Sequence, residues 1–283
     1  MRGIKTFFLL TLLTLLLVAG GDAFRGRQGM ELGLGIAVLM NGFAYFFSDK
    51  IALASSGAQP VSRQELPRLY EVMERLCGKA NLPMPKLYVI PQPAPNAFAT
   101  GRNPSHASVA VTEGLLQLMN DDELEGVIAH ELSHVRNYDI LTTSIAATLA
   151  GAIFWIARMG EFAMIFGGYG SSRGRRGGGL AVLLTIVVAP IAAMLIQLGV
   201  SRQREFAADA SGARMVGHPY GLISALEKLG AYNQRIPMQT SPTTASLFIV
   251  APLSPGQMMR GLFSTHPPLA KRIEVLKNLT LTR

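Results

Sequence analysis

Four long stretches of this chain are predominantly apolar and contain no charged residue. A helix needs about 20 apolar residues to cross the hydrocarbon core of a bilayer, within a range of roughly 17 to 25. Two of the stretches lie near the N-terminus and two follow residue 139, so they predict four transmembrane helices in two hairpins. The stretches are Thr6–Gly21, Leu32–Ser48, Ile140–Ala157 and Gly177–Ser201, of 16, 17, 18 and 25 residues.

The overall composition and the N-terminus agree with a membrane protein. Charged residues make up 16% of the chain, below the roughly 25% that is typical of soluble domains. Arg2 and Lys5 precede the first apolar stretch, as they would in a secretory signal. A second apolar stretch begins only ten residues after the first, which favours an uncleaved anchor.

The remaining sequence has the patterns of an α+β fold that is mainly helical. Residues 49–139 combine helical periodicity around 66–77 with short extended segments around 86–90, 96–101 and 106–112. Residues 201–283 contain three helical patterns and one long loop rich in Pro, Ser and Thr. The sequence therefore predicts four parts, which are an N-terminal hairpin (1–48), a folded core segment (49–139), a second hairpin with a Gly/Arg-rich loop at 167–179 (140–200) and a C-terminal segment (201–283).

The stretch HELSH, residues 130–134, has the spacing of a zinc site. His130 and His134 lie four residues apart, so on a helix both imidazoles project from one face and reach one ion. Glu131 then lies beside the metal, where it acts as a general base towards a water whose pKa zinc lowers to about 7. The alternative is a pair of core histidines next to a surface glutamate, and the apolar helical context favours the zinc site.

Catalytic zinc usually has three protein ligands and one open position. No third ligand follows HELSH at short spacing, and the acids after the fourth apolar stretch are few. Glu205 and Asp209 lie four residues apart on one predicted helix, so one carboxylate can bind the metal while the other orients a histidine. The alternative is a solvated acidic pair that bonds to Arg202 or Arg204.

The sequence resembles the HtpX proteases, which are membrane-bound zinc metalloendopeptidases of bacteria related to the CAAX prenyl proteases. The matching pieces follow the same order over nearly the whole length, and they are the two N-terminal apolar stretches, NAFATG, HELSHVRNYD, the second hairpin, SRQREFAAD and THPPLAKRI. The resemblance implies a gluzincin-like zinc protease core. It also implies one Zn²⁺ per subunit on His130, His134 and Glu205, Glu131 as catalytic base, and Asp209 as the partner of His130.

The same resemblance implies the location and the substrates. It places the protein in the bacterial inner membrane as a multi-pass protein with a cytoplasmic active site, and it assigns the removal of damaged or misfolded membrane proteins during stress. The charge bias is divided, because Arg2, Lys5 and Lys50 favour a cytoplasmic N-terminus whereas Arg25 and Arg27 oppose it.

The sequence predicts two further sites. His266 in THPPLAKRI is a candidate to stabilise the tetrahedral oxyanion, and the alternative is a residue that only starts a helix before Pro267. Asn96, Ala97, Phe98 and Ala99 are a candidate sheet edge that pairs with an extended substrate, and the alternative is an ordinary edge strand.

Other functions have less support from the sequence. An inactive zinc-binding scaffold or chaperone has no need of the glutamate inside HELSH. A transporter is disfavoured because the apolar stretches contain no ionisable residues of an ion pathway. The chain has a net charge of +8, but its basic residues form no stripe interleaved with aromatic residues, so nucleic acid is not an expected partner. The expected partners are the lipid bilayer and membrane-protein substrates.

Overall fold

The structure, a computed structural model, describes residues 4–150, 202–233, 235, 244–250 and 267–280. The α-helices are α1 (Ile4–Ser55), α2 (Pro67–Ala80), α3 (Glu113–Leu118), α4 (Asp121–Arg136), α5 (Asp139–Ala150), α6 (Arg202–Val216), α7 (Tyr220–Asn233) and α8 (Leu269–Lys277). The strands are β1 (Gln59–Pro60), β2 (Lys86–Ile90), β3 (Ala97–Gly101) and β4 (Ala107–Thr112). Short 3₁₀ turns span Pro104–His106 and Thr244–Leu247.

Helix α1 consists of two helices that meet at a sharp turn. Arg25 and Gly26 leave the helical conformation, and Gly26 has φ 55° and ψ −140°, a backbone region that only glycine adopts readily. The two halves then run back along each other, because Asn41 Nδ2 donates to Leu10 O at 3.2 Å and to Thr14 Oγ1 at 2.9 Å. The first two apolar stretches therefore form a helical hairpin.

One helix among the described residues, Arg25–Ser55, is long and apolar enough to cross a bilayer. The apolar helices Thr6–Ala19 and Asp139–Ala150 are shorter. The rest of the third stretch, the whole fourth stretch and the Gly/Arg-rich loop 167–179 lie outside the described residues. Of the four predicted transmembrane helices, the structure supports the second, and the other three stay predictions.

The sheet has the strand order β1-β2-β4-β3. β2 and β4 are parallel, and β3 pairs antiparallel with β4 so that Ala97 lies opposite Val111 and Gly101 opposite Ala107. The predicted extended segments are therefore strands, and β3 is an edge of the sheet.

The main hydrophobic core lies between one face of the sheet and the helices α2, α4, α6, α7 and α8. It joins residues from 61–140 with residues from 213–279. The core segment 49–139 and the C-terminal segment 201–283 therefore fold around one hydrophobic core. Helix α4 crosses its centre, where Val127, Ile128 and Leu132 are fully buried. Its N-terminus has a capping box, in which Asn120 and Glu123 each bond the other's backbone N–H.

The opposite face of the sheet packs against the apolar helices. Phe98 and Ala110 contact Leu53 near the end of α1, Ala147 in α5 and Phe248 of the segment that follows α7. Thr100 and Ser144 share a buried hydrogen bond of 2.7 Å between β3 and α5. The sheet therefore lies between α4 on one face and the predicted membrane helices on the other, and it fixes their relative position.

Candidate metal centre and active site

Two histidines of α4 face each other in the centre of the molecule. His130 is fully buried, His134 is partly exposed, and their Nε2 atoms lie 3.2 Å apart. Two nitrogens that each bind one zinc ion at about 2.0–2.1 Å have a separation of this size. The helical spacing of four residues alone brings both rings to the same point.

Glu205 reaches the same point from α6. Its Oε1 lies 3.5 Å from His134 Nε2, and its Oε2 lies 3.8 Å from His130 Nε2. The three candidate ligand atoms all lie within 4.8 Å of one another. Helix α6 comes this close because Gly212 faces α4, where an added Cβ would lie 3.0 Å from His130 N.

The outer nitrogens of both rings are held by carboxylates. His130 Nδ1 lies 2.9 Å from Asp209 Oδ1, and His134 Nδ1 lies 3.3 Å from Asp139 Oδ2. A ring nitrogen that donates to a carboxylate carries the proton, so in the neutral form of each ring Nε2 directs its lone pair towards Glu205 and the other histidine. Three acceptors that converge in this way fit a bound cation.

The electrostatics of the cluster also favour positive charge. Burial lowers the pKa of His134, yet Asp139, Glu205 and Glu131 together raise it to about 9. His130 behaves differently, because burial and the nearby Arg272 hold its pKa below the usual value. A divalent cation would supply the positive charge that the carboxylates stabilise.

Arg272 of α8 is the main site residue that the sequence analysis did not identify. Its guanidinium is fully buried and donates to both oxygens of Asp209, at 2.8 and 2.6 Å. It also donates to Ile249 O at 2.8 Å and lies 3.4 Å from His130 Nδ1. The shorter contact of His130 with Asp209 decides the tautomer, so Arg272 acts on His130 through Asp209.

Asp139 is the second residue that the sequence analysis missed. It lies at the start of α5 and accepts a hydrogen bond from Arg204 of α6 at 3.0 Å, in addition to its contact with His134. The alternative of a solvated Glu205–Asp209 pair is wrong, because these side chains are only 4% and 1% exposed. Arg204 donates a hydrogen bond to Asp139.

Glu131 lies beside the candidate ligands and is also buried. Burial raises the pKa of its carboxyl to about 7, and the charge of Glu205 acts in the same direction. The backbone N–H of Ala99 in β3 donates to this carboxyl. A carboxyl with a pKa near neutrality can accept and return a proton under physiological conditions.

Three of the four predicted substrate-binding residues lie on β3 and Asn96 directly precedes it, but part of this edge is already paired. Asn96 is fully buried, and its side chain bonds the backbone O and N of Val250 at 2.8 and 3.3 Å. Ala97 O accepts from Ile249 N at 2.9 Å, and Phe98 packs into the core. Ala99 is the predicted residue that lines the metal cluster directly. His266 lies outside the described residues.

Comparisons with known proteins agree with this geometry. A family model described as Peptidase family M48 matches residues 63–280. "Protease HtpX homolog" of Desulfatibacillum aliphaticivorans is 54% identical over 95% of this chain and 87% of its own length. The protein with the same description from Syntrophobacter fumaroxidans is 50% identical over 97% of this chain and 98% of its own.

One solved structure shows the fold. The crystal structure of S. mikatae Ste24p has a TM-score of 0.51 and 20% sequence identity, and the match covers 97% of this chain. The chain spans 62% of the length of that structure.

Proposed function

This chain belongs to Peptidase family M48, a family of metalloproteases, and from that premise we propose that it is a zinc-dependent endopeptidase of the bacterial inner membrane. The observation that carries the proposal is the convergence of three acceptors beside Glu131. The family match does not favour an inactive scaffold, and the buried Glu131 gives the site a base that a structural metal site does not need.

The donor set fits zinc. His130, His134 and Glu205 would hold the ion through two imidazole nitrogens and one carboxylate, a ligand set that catalytic zinc sites use. Zinc would supply Lewis-acid polarisation of the scissile carbonyl and a lower pKa for the attacking water. Asp209 and Asp139 fix the two rings so that their Nε2 lone pairs point inwards.

Glu131 moves the proton in this proposal. Its carboxylate accepts the proton of the attacking water, and the same group then donates it to the nitrogen of the departing amine. Burial raises the pKa of this carboxyl to about 7, and the Ala99 N–H holds one of its oxygens in place. His266 is proposed to stabilise the oxyanion.

We place the site on the cytoplasmic side of the inner membrane, in a protein with four transmembrane helices. Only Asn137 and Tyr138 separate the site helix α4 from the apolar helix α5, so the metal cluster lies close to the end of a predicted membrane helix. Damaged or misfolded membrane proteins are the proposed substrates, because their unfolded loops and ends reach a site near the bilayer surface.

Metal depletion tests the proposed reaction. Full-length protein in detergent is purified with a chelator, and zinc is added back while the cleavage of casein, an unfolded protein, is followed. We expect no cleavage before the addition and full cleavage at one zinc ion per chain. Undiminished cleavage in the chelated protein would exclude a metal-dependent reaction.

The substrate class needs a separate experiment. The protein is reconstituted in liposomes with one unfolded substrate, either anchored in the same liposomes or free in solution. We expect faster cleavage of the anchored form. Equal rates for both forms would contradict the preference for membrane proteins while leaving the zinc endopeptidase intact.

A further inference from the structure

The cavity at the metal cluster is too small for a peptide. It has a volume of about 20 Å³, and His130, Glu131, His134 and Glu205 all line it. A cavity of this size holds about one water molecule, whereas pockets that bind extended ligands measure about 300–1,000 Å³. One wall of the cavity therefore has to move before a scissile bond reaches Glu131.

The wall that can move is the segment Ser246–Val250, called the strap below. Four residues of the strap, 246–249, line the cavity opposite the ligand helices. The other lining residues belong to α4, α5, α6 and β3, which are fixed by the main core, the sheet or buried side-chain bonds. Movement of these elements would displace the candidate ligands themselves. The strap supplies none of these ligands, so its movement leaves them in place, at the cost of the hydrogen bond from Arg272 to Ile249 O and of the contacts of Ile249 and Val250 with the main core.

The strap is joined to the edge of the sheet by one backbone hydrogen bond to β3 and by the side chain of Asn96, which directly precedes β3. Ile249 N donates to Ala97 O at 2.9 Å, and the side chain of Asn96 bonds both backbone groups of Val250. Peptides that add to a sheet edge use the same backbone groups. The strap thus occupies the part of β3 that the proposed function assigns to the substrate.

The side chains of the strap define what this edge accepts. Phe248 is fully buried and packs edge-to-face on Phe98, with ring centroids 5.1 Å apart. Leu247 and Ile249 are also buried, and no charged side chain occurs in the strap. An extended segment with an aromatic or large aliphatic residue matches the positions that these side chains fill.

We propose that the strap is an internal occupant of the substrate-binding edge, and that substrates are extended segments with large apolar side chains that displace it. The inference rests on the proposed function and adds to it the class of sequence that binds and the device that closes the site. Segments of this kind are buried in folded proteins and become available when the protein unfolds. The closed strap therefore restricts cleavage to unfolded substrates.

Hydrogen exchange of the strap amides tests the displacement. The probe is an extended Leu-Phe-Ile peptide that carries a zinc-binding hydroxamate, added to the full-length zinc-loaded protein in detergent. We expect the exchange of the amides at 247–250 to accelerate at least tenfold when the probe binds, while the amides of β4 stay unchanged. The same probe added to protein kept in chelator is the control.

The possible results separate the two proposals. If the probe binds in a zinc-dependent way and the strap amides keep their rate or slow down, the strap is a fixed wall and the inference is overturned while the zinc site stands. If the probe does not bind to the zinc-loaded protein at all, the proposed zinc protease site fails and the inference fails with it.

A pair of variants distinguishes a displaceable strap from a fixed wall. In Phe248→Ala the KM falls if the strap is displaced by substrate, and it rises if the strap is a fixed part of the substrate site. Phe248→Ala removes the aromatic contact that the strap makes with Phe98, and the apparent affinity for a substrate rises in proportion to the open fraction. We expect the KM for a short apolar fluorogenic peptide to fall about tenfold, which corresponds to a closure that is 1.4 kcal/mol weaker. Leu53→Ala, a deletion in the same apolar cluster outside the strap, should leave KM unchanged. A higher KM in Phe248→Ala overturns the inference.

Discussion

Arg272 and Asp209 form a fully buried ion pair, in which the guanidinium donates to both carboxylate oxygens at 2.8 and 2.6 Å. Although burial raises the pKa of a carboxyl, Arg272 holds the pKa of Asp209 below its usual value. The ionised Asp209 in turn accepts the Nδ1 proton of His130. An arginine from α8 thus keeps a histidine of α4 in the tautomer that a metal ligand needs.

Loss of this arginine should destabilise the fold. Arg272→Met leaves Asp209 buried without its partner, and breaking a buried pair in this way costs about 3–5 kcal/mol. Denaturant unfolding of the detergent-solubilised protein measures the change. Lys271→Met is the matched control, because this neighbour pairs with Glu274 on the exposed surface and such pairs contribute about 0–1 kcal/mol. Equal losses in both variants would contradict the role of Arg272.

Asp139 is expected to control zinc affinity through His134. Asp139→Asn removes the charge that holds His134 Nδ1, and changes to such partners typically weaken metal affinity by about 10–100-fold. Competition with a chromophoric chelator measures the affinity. Arg204→Met should have a smaller effect, because it removes a partner of Asp139 and leaves the contact between Asp139 and His134 in place. Asp121→Asn, in an exposed pair with Arg68, should have none.

The sequence was sufficient for the parts of the site that local geometry defines. The spacing of His130 and His134 on one helix brings their rings together whatever surrounds them, and the same spacing relates Glu205 to Asp209. Their arrangement around one point agrees with the resemblance, and the proposed catalytic roles stay predictions. β3 also lies at an edge of the sheet, which is the position predicted for the extended segment that begins at Asn96.

The parts that the sequence analysis missed depend on tertiary contacts. Asp139 and Arg272 are single charged residues within stretches that were already noted, HELSHVRNYD and THPPLAKRI. Nothing in their spacing indicates that one supports His134 or that the other enters the core from α8. The strap was predicted as part of a loop, because its pairing partner Ala97 lies about 150 residues earlier in the chain.

Gly212 is expected to set the distance between α6 and α4. In Gly212→Ala the new Cβ would lie 3.0–3.2 Å from backbone atoms of Ala129 and His130, which cannot yield as a side chain would. Overpacking of this kind costs about 1–3 kcal/mol and moves Glu205 away from the histidines. We expect lower thermal stability and weaker zinc binding. Gly78→Ala, in α2 with open space around it, should instead raise stability by about 0.5–1 kcal/mol.

Glu123 gives the fold a defined dependence on pH away from the metal cluster. Burial raises the pKa of this carboxyl, but hydrogen bonds from Lys228, Ser224 and the backbone N–H of Asn120 lower it below its usual value overall. Because the folded-state pKa lies below the unfolded one, the ionised group stabilises the protein above the unfolded value of about 4.3. This stabilisation is lost as the pH falls through the folded-state pKa.

Glu131→Gln separates metal binding from catalysis. The glutamine keeps the size of the side chain and leaves the three candidate ligands in place, but it cannot accept a proton. We expect zinc to bind with unchanged stoichiometry while the cleavage of casein slows by at least about 10²–10⁴-fold, the contribution of a positioned general base. Glu125→Gln, on the same helix in a pair with Arg75, should cleave at the normal rate. If the Glu131→Gln protein cleaved at the normal rate, Glu131 would not be the general base and another group would have to accept the proton.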